Sequence, residues 1–429
     1  MNVETAEIFD ALLENLKVGD ASATIMSRRN EITKALNKDF RSTDSETQHR
    51  LMVGSFGRHT AIKGVSDLDM LYILPADLWS QYSSDTGPRR ILTRVKDVLK
   101  ARYPNTEVRV DQCVVRVQFS SNKFKFEVQP VFENDDGSFD YPDTIAEGWK
   151  VTKPSEEIAA TKDCNDRTSM NMRNLARMAR AWKNTNGVVM GGLLIDTLVY
   201  RFFGQTNEYD SAKTDSFDLM ARDFFEFLAD EPEQSYYLAL GSSQRVTVKK
   251  PFQAKAKKAH KRCLEAIEEE GKAAANKKWR TVFGTDVPLK ASASARSFDN
   301  TEEFIETQYP VDIQYSVEID CTVTQDGWRP ASLRQMLRER TLLLPNKSLD
   351  FTIVENQVAA PFDVRWKVLN RGDEAERRNR IRGDIIKANR ANNGRQERTE
   401  FRGDHVVECF IVKDGVVVAR DFIEVPIST

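Results

Sequence analysis

Two aspartates one residue apart, Asp67 and Asp69, open the hydrophobic run SDLDMLYIL at residues 66–74. In an extended strand both project to one face, while Leu68 and Met70 project to the other. Carboxylates this close repel, so at least one pKa rises unless a cation keeps both ionised. Hard oxygen donors favour Mg2+, with Mn2+ as its substitute. Just upstream, the apolar residues 51–53 stop at Gly54-Ser55. Gly54 allows a tight turn and close approach of backbone to a ligand. If a helical turn follows, its unpaired N–H groups and the Ser55 hydroxyl face one concavity that suits a phosphate. A phosphate cradle beside a carboxylate pair is equipment for two-metal chemistry on a nucleotide.

Two carboxylates rarely hold two metals alone, so a third is expected from a neighbouring strand. Glu127 is the first candidate. It lies in KFKFEVQPVF, residues 123–132, where Phe124, Phe126 and Val128 alternate with Lys125, Glu127 and Gln129 as in a half-buried strand. Asp111, in VRVDQCVVRVQF, is a weaker contender, because Pro130, soon after Glu127, is expected to mark a strand leaving the sheet beside a site.

The segment GSFGRHTAIKGVSDLDMLY, residues 54–72, closely resembles the bacterial cyclic-oligonucleotide synthases, the cGAS/DncV-like nucleotidyltransferases of anti-phage systems, within the polymerase-beta-type superfamily. A lone Asp-x-Asp is common on surfaces. Gly-Ser, Thr-Ala-Ile-Lys-Gly and Ser-Asp-x-Asp within one short window are far more specific. The resemblance implies that Asp67, Asp69 and Glu127 hold two metals that activate a ribose hydroxyl and neutralise leaving pyrophosphate, and that Ser55 holds terminal phosphates. Family members more often carry Asp at the third position, so Glu127 is a departure that lengthens the arm and keeps the charge. The family's second lobe is helical, and a Trp-Lys pair ending a helix supplies a lysine to the triphosphate. Here RNLARMARAW, residues 173–182, is followed by Lys183, which matches that position. Gly191-Gly192 stand where relatives often place a serine.

The positioning elements follow from periodicity. Ile8, Leu12 and Leu16, then Ile25, Ile32, Leu36 and Phe40, recur at helical spacing and predict two helices that brace the catalytic sheet. Residues 51–132 alternate β-like runs with one helix over 89–101. Residues 135–154, rich in Gly, Asp and Pro, read as a transition. Residues 155–283 read as mostly helical. The basic stretch 249–280 reads as a solvated helix face, because Glu265 to Glu270 offset its field.

Beyond KASASARS, residues 290–297, strand-like runs dominate: 313–324, 351–354, 362–369, 406–412 and 416–418, with Lys413-Asp414-Gly415 as a hairpin turn. FDVRWKVLNRGDEAERRNRIRG and TEFRGDHVVECFIV resemble the sensor domain at the C-terminus of some cyclic-oligonucleotide synthases and of bacterial adenylyl/guanylyl cyclases, through Trp366, Asn370, Gly372, Ala375, Arg382, Gly383, Thr399, Gly403, His405 and Glu408. Arg382-Gly383 and Arg402-Gly403 each join a phosphate-suited guanidinium to a glycine that permits close approach.

The chain has 429 residues, more than one ordinary core. Its expected class is α+β: a polymerase-beta-like palm with N-terminal bracing helices (1–150), a helical nucleotide-substrate lobe (151–285), a linker (286–309) and a separate β-rich, sandwich-like sensor domain (310–429). No apolar run is long enough to span a bilayer, and the start of the chain lacks a signal-peptide pattern. Five scattered cysteines without CxxC spacing argue against a disulfide framework or zinc site and for a reducing compartment, the cytoplasm. A net charge of −2 supplies no global attraction for nucleic acid. The expected activity condenses NTPs, ATP first and GTP or others besides, into a cyclic di- or trinucleotide in anti-phage signalling. The alternatives are a linear-oligonucleotide or RNA-tailing transferase, and an inactive nucleotide-sensing protein. A regulatory ligand or partner is expected at the C-terminal domain.

Overall fold

The computed structural model describes residues 3–19, 21–64, 66–119, 124–289, 302–324, 329–370 and 373–428. KASASARS and Gly372 therefore lie outside the described residues. The chain divides into two compact units: Met1–Trp182 with Met190–Pro288, and Lys183–Val189 with Leu289–Thr429.

The first unit opens with helices α1 (Val3–Asn15) and α2 (Ala21–Arg41), followed by β1 (Arg50–Met52), the single turn α3 (Gly54–Gly57), β2 (Asp67–Ile73), α4 (Trp79–Tyr82) and α5 (Gly87–Arg102). Strands β3 (Glu107–Asp111), β4 (Val114–Gln118), β5 (Lys125–Glu133), β6 (Phe139–Asp143) and β7 (Gly148–Thr152) complete a seven-stranded sheet. Its main path runs β1-β2-β5-β4-β3, with β6 and β7 added beyond β5. Period-two alternation divides the sheet's faces. Leu68, Met70 and Tyr72 of β2, Phe126 and Val128 of β5, and Val115 and Val117 of β4 are all fully buried, in one core with Ile25, Ile32 and Leu36 of α2 and Ile91, Val95 and Leu99 of α5. The residues between them must face the other way, and that face carries the charged groups.

Three expectations need correction. α2 braces the sheet, but α1 does not: Phe9 packs edge-on against Phe217, Trp279 and Phe283 of the helical region. Periodicity finds a buried stripe without saying what buries it. The transition at 135–154 is instead largely the β6–β7 hairpin, paired from Phe139↔Thr152 to Asp143↔Gly148. Strand β5 does not leave the sheet at Pro130, which pairs with Tyr72 of β2. Its pairing with β4 runs only from Lys125 to Val128, so the missing proline N–H falls where β4 has already ended.

Helices α6 (Pro154–Arg167), α7 (Asn171–Asn186), α8 (Gly192–Gln205), α9 (Phe217–Asp230), α10 (Gln253–Glu268) and α11 (Ala273–Phe283), with a small hairpin of β8 (Tyr236–Leu238) and β9 (Arg245–Thr247), form the rest of this unit, apart from the last turn of α7. The basic α10 buries only the small stripe Ala256, Ala259, Cys263 and Ala266, which leaves its lysines at the surface.

The second unit contains α12 (Ile305–Gln308), β10 (Val317–Thr324), β11 (Ala331–Ser332), α13 (Leu333–Glu339), β12 (Ser348–Asn356), β13 (Asp363–Leu369), α14 (Asp373–Arg377), β14 (Ile385–Lys387), β15 (Arg395–Arg398), β16 (Gly403–Lys413) and β17 (Val416–Ile427). Two four-stranded sheets, β11-β10-β12-β15 and β14-β13-β16-β17, share one core around Trp366, Phe351, Ile319 and Ile411. This is the expected sandwich. Asp414 and Gly415, with φ of 51° and 76°, form the two-residue turn between β16 and β17 that the Asp-Gly pair signals.

Candidate active site

Strand β2 lies parallel to β5, in a register that sets Asp67 opposite Lys125 and Asp69 opposite Glu127. On the other side of β5, Glu127 faces Arg116 of β4. Asp67, Asp69, Glu127, Lys125 and Arg116 are all half-buried, on the sheet face away from α2 and α5. The Lys125 ammonium stands 3.1 Å from Asp67 Oδ1 and 3.8 Å from Glu127 Oε1, and Arg116 Nε donates to Glu127 Oε1 at 2.9 Å. Burial, reinforced by the Asp67 carboxylate, raises the Glu127 pKa despite the opposing pull of Arg116 and Lys125. Asp111 sits two strands away, at the end of β3, joined to the group only through Arg116, whose guanidinium reaches it at 2.5 Å.

The Gly54 turn is built against this pair. Val53 N–H donates to the Asp69 carbonyl at 3.0 Å, and Gly57 N–H returns to Val53 O at 2.9 Å. Gly54 has φ +62°, and a Cβ there would stand 1.9 Å from Asp69 Oδ2. No other residue fits without displacing the carboxylate. The Ser55 carbonyl accepts the N–H groups of Thr60 and Ala61 at 2.9 and 3.1 Å, which folds the following loop back on the turn. Among the described residues the Ser55 hydroxyl has no hydrogen-bond partner.

Sequence reasoning missed the groups that hold this loop. Arg58 is buried and donates from Nε to Asp196 Oδ2 at 2.7 Å, with Glu157 at 3.4 Å. Asp196, fully buried on α8, also receives Thr60 Oγ1 at 3.0 Å and both terminal nitrogens of Arg180 at 2.7 and 2.9 Å. Burial alone raises a carboxyl, but Arg180 and Arg58 more than offset it, and Asp196 stays below its ordinary pKa. Arg173 and Arg177, one turn apart on α7, donate to the carbonyls of Arg58 and His59 at 3.1 and 3.0 Å. The one available signal was Asp196 itself, a lone carboxylate inside the apolar run LLIDTLV.

Thus Asp67, Asp69 and Glu127 share one face of the sheet, and the turn that carries Gly54 and Ser55 is packed at Gly54 against Asp69. Lys183 belongs to the second unit, where its Nζ, largely buried, binds Asp312 Oδ1 at 2.6 Å. Among the described residues no three Asp, Glu, His or Cys side chains already close round a common point as a metal cage. The carboxylate oxygens nevertheless suit a hard divalent cation, and the charge that such an ion would neutralise is balanced here by Lys125 and Arg116.

Residues 1–165 match the model of the second messenger oligonucleotide or dinucleotide synthetase domain, and residues 299–428 match the adenylyl/guanylyl and SMODS C-terminal sensor domain. These matches support a cGAS/DncV-like nucleotidyltransferase with a C-terminal sensor domain. Its sensor domain is the sandwich of the second unit. A chain of the E. coli MS115-1 CdnC:HORMA-deltaN complex shares the nucleotidyltransferase fold at 13% identity and TM-score 0.52, covering 67% of this chain and 99% of that one. The Vibrio cholerae di-nucleotide cyclase DncV is similar at 13% identity and TM-score 0.47, over 67% and 88% of the two chains. The CdnE c-di-GMP synthase of Capnocytophaga granulosa follows at 13% and 0.46, over 60% and 83%. No curated protein matches the chain. No helix among the described residues of this nucleotidyltransferase is long and apolar enough to cross a membrane.

Proposed function

We propose that this nucleotidyltransferase condenses nucleoside triphosphates, ATP first and GTP or others besides, into a cyclic di- or trinucleotide with release of pyrophosphate. The observation that carries the reading is the in-register placement of Asp69 beside Glu127, with Asp67 on the same face and the Gly54 turn pressed against the Asp69 carboxylate. The oxygen donors suit Mg2+ or Mn2+, which when bound there supplies a lowered pKa to the attacking ribose hydroxyl and neutralises the leaving pyrophosphate.

The chain's own residues divide the remaining work. Asp67, Asp69 and Glu127 bind the ions, and the Ser55 hydroxyl with the turn's N–H groups holds the terminal phosphates of the donor nucleotide. Lys125 and Arg116 must give up part of their hold on the carboxylates when the site is loaded, so they tune how readily it loads. Lys183 serves the triphosphate only after its ion pair with Asp312 opens. Arg58, anchored by Asp196, positions the loop behind Ser55 and touches no substrate.

The resemblance of residues 54–72 to bacterial anti-phage synthases supports a cytoplasmic signalling role for the product. The free state of all five cysteines is in keeping with a reducing compartment. Incubation of pure protein with labelled NTPs and Mg2+ tests the reading. Pyrophosphate and an oligonucleotide without free terminal phosphates are the expected products. A linear product, digested from its ends by exonuclease, would make the chain an oligonucleotide or tailing transferase instead.

A further inference from the structure

The sensor sandwich carries a half-open cavity of about 760 Å3 between the ends of its two sheets, inside the ~300–1,000 Å3 range of small-ligand sites. Its floor is apolar, formed by Leu349, Phe351, Val407 and Ile427. Its wall is not. Register sets Arg395 opposite Phe351 and Glu397 opposite Leu349, so an edge strand turns charged side chains onto the face where its neighbour turns core residues. Charge placed inside a sandwich is costly, and a structural role is better served by apolar side chains.

Among the lining residues three guanidiniums, Arg380, Arg382 and Arg398, stand against the two carboxylates Glu397 and Glu400, with Asp384 also acting on Arg382. Glu397 is one carboxylate shared by two guanidiniums: Arg395 donates from Nε and a terminal nitrogen at 2.8 and 2.5 Å, and Arg382 reaches the other oxygen at 2.9 Å. Burial pushes the Glu397 carboxyl up, but the Arg382 and Arg395 guanidiniums more than offset it and hold it below its ordinary value. Arg380 and Arg398 add two further guanidiniums at the rim, against Glu400. The loop that delivers Arg382 is tied to Asn370 at the end of β13. Asn370 Nδ2 donates to Arg380 O at 2.9 Å, and Arg382 adopts φ +53° before Gly383 at +131°. A Cβ on Gly383 would meet Glu302 Cα at 2.9 Å. On the same wall Phe401 stacks edge-on with buried His405 at 5.1 Å, and the Arg378 guanidinium lies over the Phe401 ring.

We infer that this cavity is a binding site for a nucleoside phosphate, with the phosphate on the Arg382 guanidinium and the rim arginine Arg398, and the base against the apolar floor. Guanidinium selects an anion, and the apolar half excludes a bare one. The choice of a nucleotide among phosphate-bearing ring compounds rests on the synthase reading above. Two sources share this chemistry: the NTP substrates and the cyclic product.

The test is calorimetric titration of the full-length chain carrying Asp67→Asn and Asp69→Asn, without divalent cation, using ATP, GTP, cyclic AMP-GMP and inorganic phosphate as separate probes. Hydrogen exchange with each probe locates the binding. At least one nucleotide is expected to bind and to protect residues 380–385 and 397–405, with inorganic phosphate binding at least about tenfold more weakly. ATP or GTP as the tighter probe assigns substrate sensing, and cyclic AMP-GMP assigns product sensing. Arg382→Ala, added to the same background, should weaken the nucleotide at least about tenfold. Arg398→Ala, at an exposed rim position, gives the same readout should Arg382→Ala unfold the domain. Glu397→Gln should leave binding unchanged or tighter, whereas a purely structural triad predicts loss. Absence of nucleotide binding, protection confined to other segments, binding unaltered in both arginine variants, or phosphate binding as tightly as nucleotide overturns the proposal. Each of these outcomes leaves the synthase reading standing, since that is decided by turnover of the unmodified protein.

Discussion

Gly54 is the residue on which the candidate site is most narrowly built. Its positive φ and the 1.9 Å approach that a Cβ would make to Asp69 Oδ2 mean that Gly54→Ala must move the turn, the carboxylate or both. The expected outcome is a loss of nucleotidyl transfer of at least ~100-fold, with a stability cost of ~1–3 kcal/mol in urea titration. Wild-type turnover in that variant contradicts the placement. Glu127→Gln keeps the arm length and removes the charge, so its activity loss should exceed that of Glu127→Asp. Equal losses would mean that geometry rather than charge matters at this position. The carboxylates and the turn were legible because their chemistry is written in residue types at short spacing. Lys125 and Arg116 were not, because ion pairs across strands depend on register, and register is set by the turns and the core rather than by any local pattern.

At the scale of elements, the motif loop depends on a helix more than 130 positions away in sequence: Arg58 and Thr60 both end on Asp196 of α8. Asp196→Asn leaves two buried guanidiniums facing a neutral amide, and breaking such pairs costs ~3–5 kcal/mol. The denaturant midpoint should fall accordingly, whereas a near-neutral result would show that the loop stands without its anchor. The β6–β7 hairpin carries a pH signature. Asp143 accepts from the N–H groups of Ile145 and Ala146 and from Lys150, and these bonds, the Lys150 one first, lower its pKa to about 2. A depressed carboxyl stabilises the fold above its ordinary value near 3.8, and that contribution is lost as pH falls towards about 2. Asp143→Asn should therefore be less stable than the parent at pH 7, with the gap closing at pH 2. This hairpin was missed because Gly, Asp and Pro signal turns whether or not strands flank them. The face of α1 was misread for a related reason: Ile8 and Leu12 report that a stripe is buried, and nothing in their spacing distinguishes a sheet from the aromatic cluster of Trp279 and Phe283.

For the whole molecule, the two units carry separate chemistry: a carboxylate face with a glycine turn against it in one, and a sandwich with an arginine-bearing cavity in the other. The sandwich was readable from strict alternation in residues 317–324 and from the Asp-Gly turn at 414–415. Its cavity was not, since inward-facing Arg395 and Glu397 look like ordinary polar strand residues until pairing assigns them a face. The claim on which everything else rests is that the carboxylate face makes a cyclic nucleotide, and mass spectrometry of the product formed from all four NTPs with Mg2+ tests it most directly. The account predicts a species whose mass equals two or three nucleoside monophosphates joined in a ring, formed with stoichiometric pyrophosphate and abolished by Asp67→Asn with Asp69→Asn. A product bearing a terminal triphosphate, or the same ring made at undiminished rate by the double variant, would contradict it.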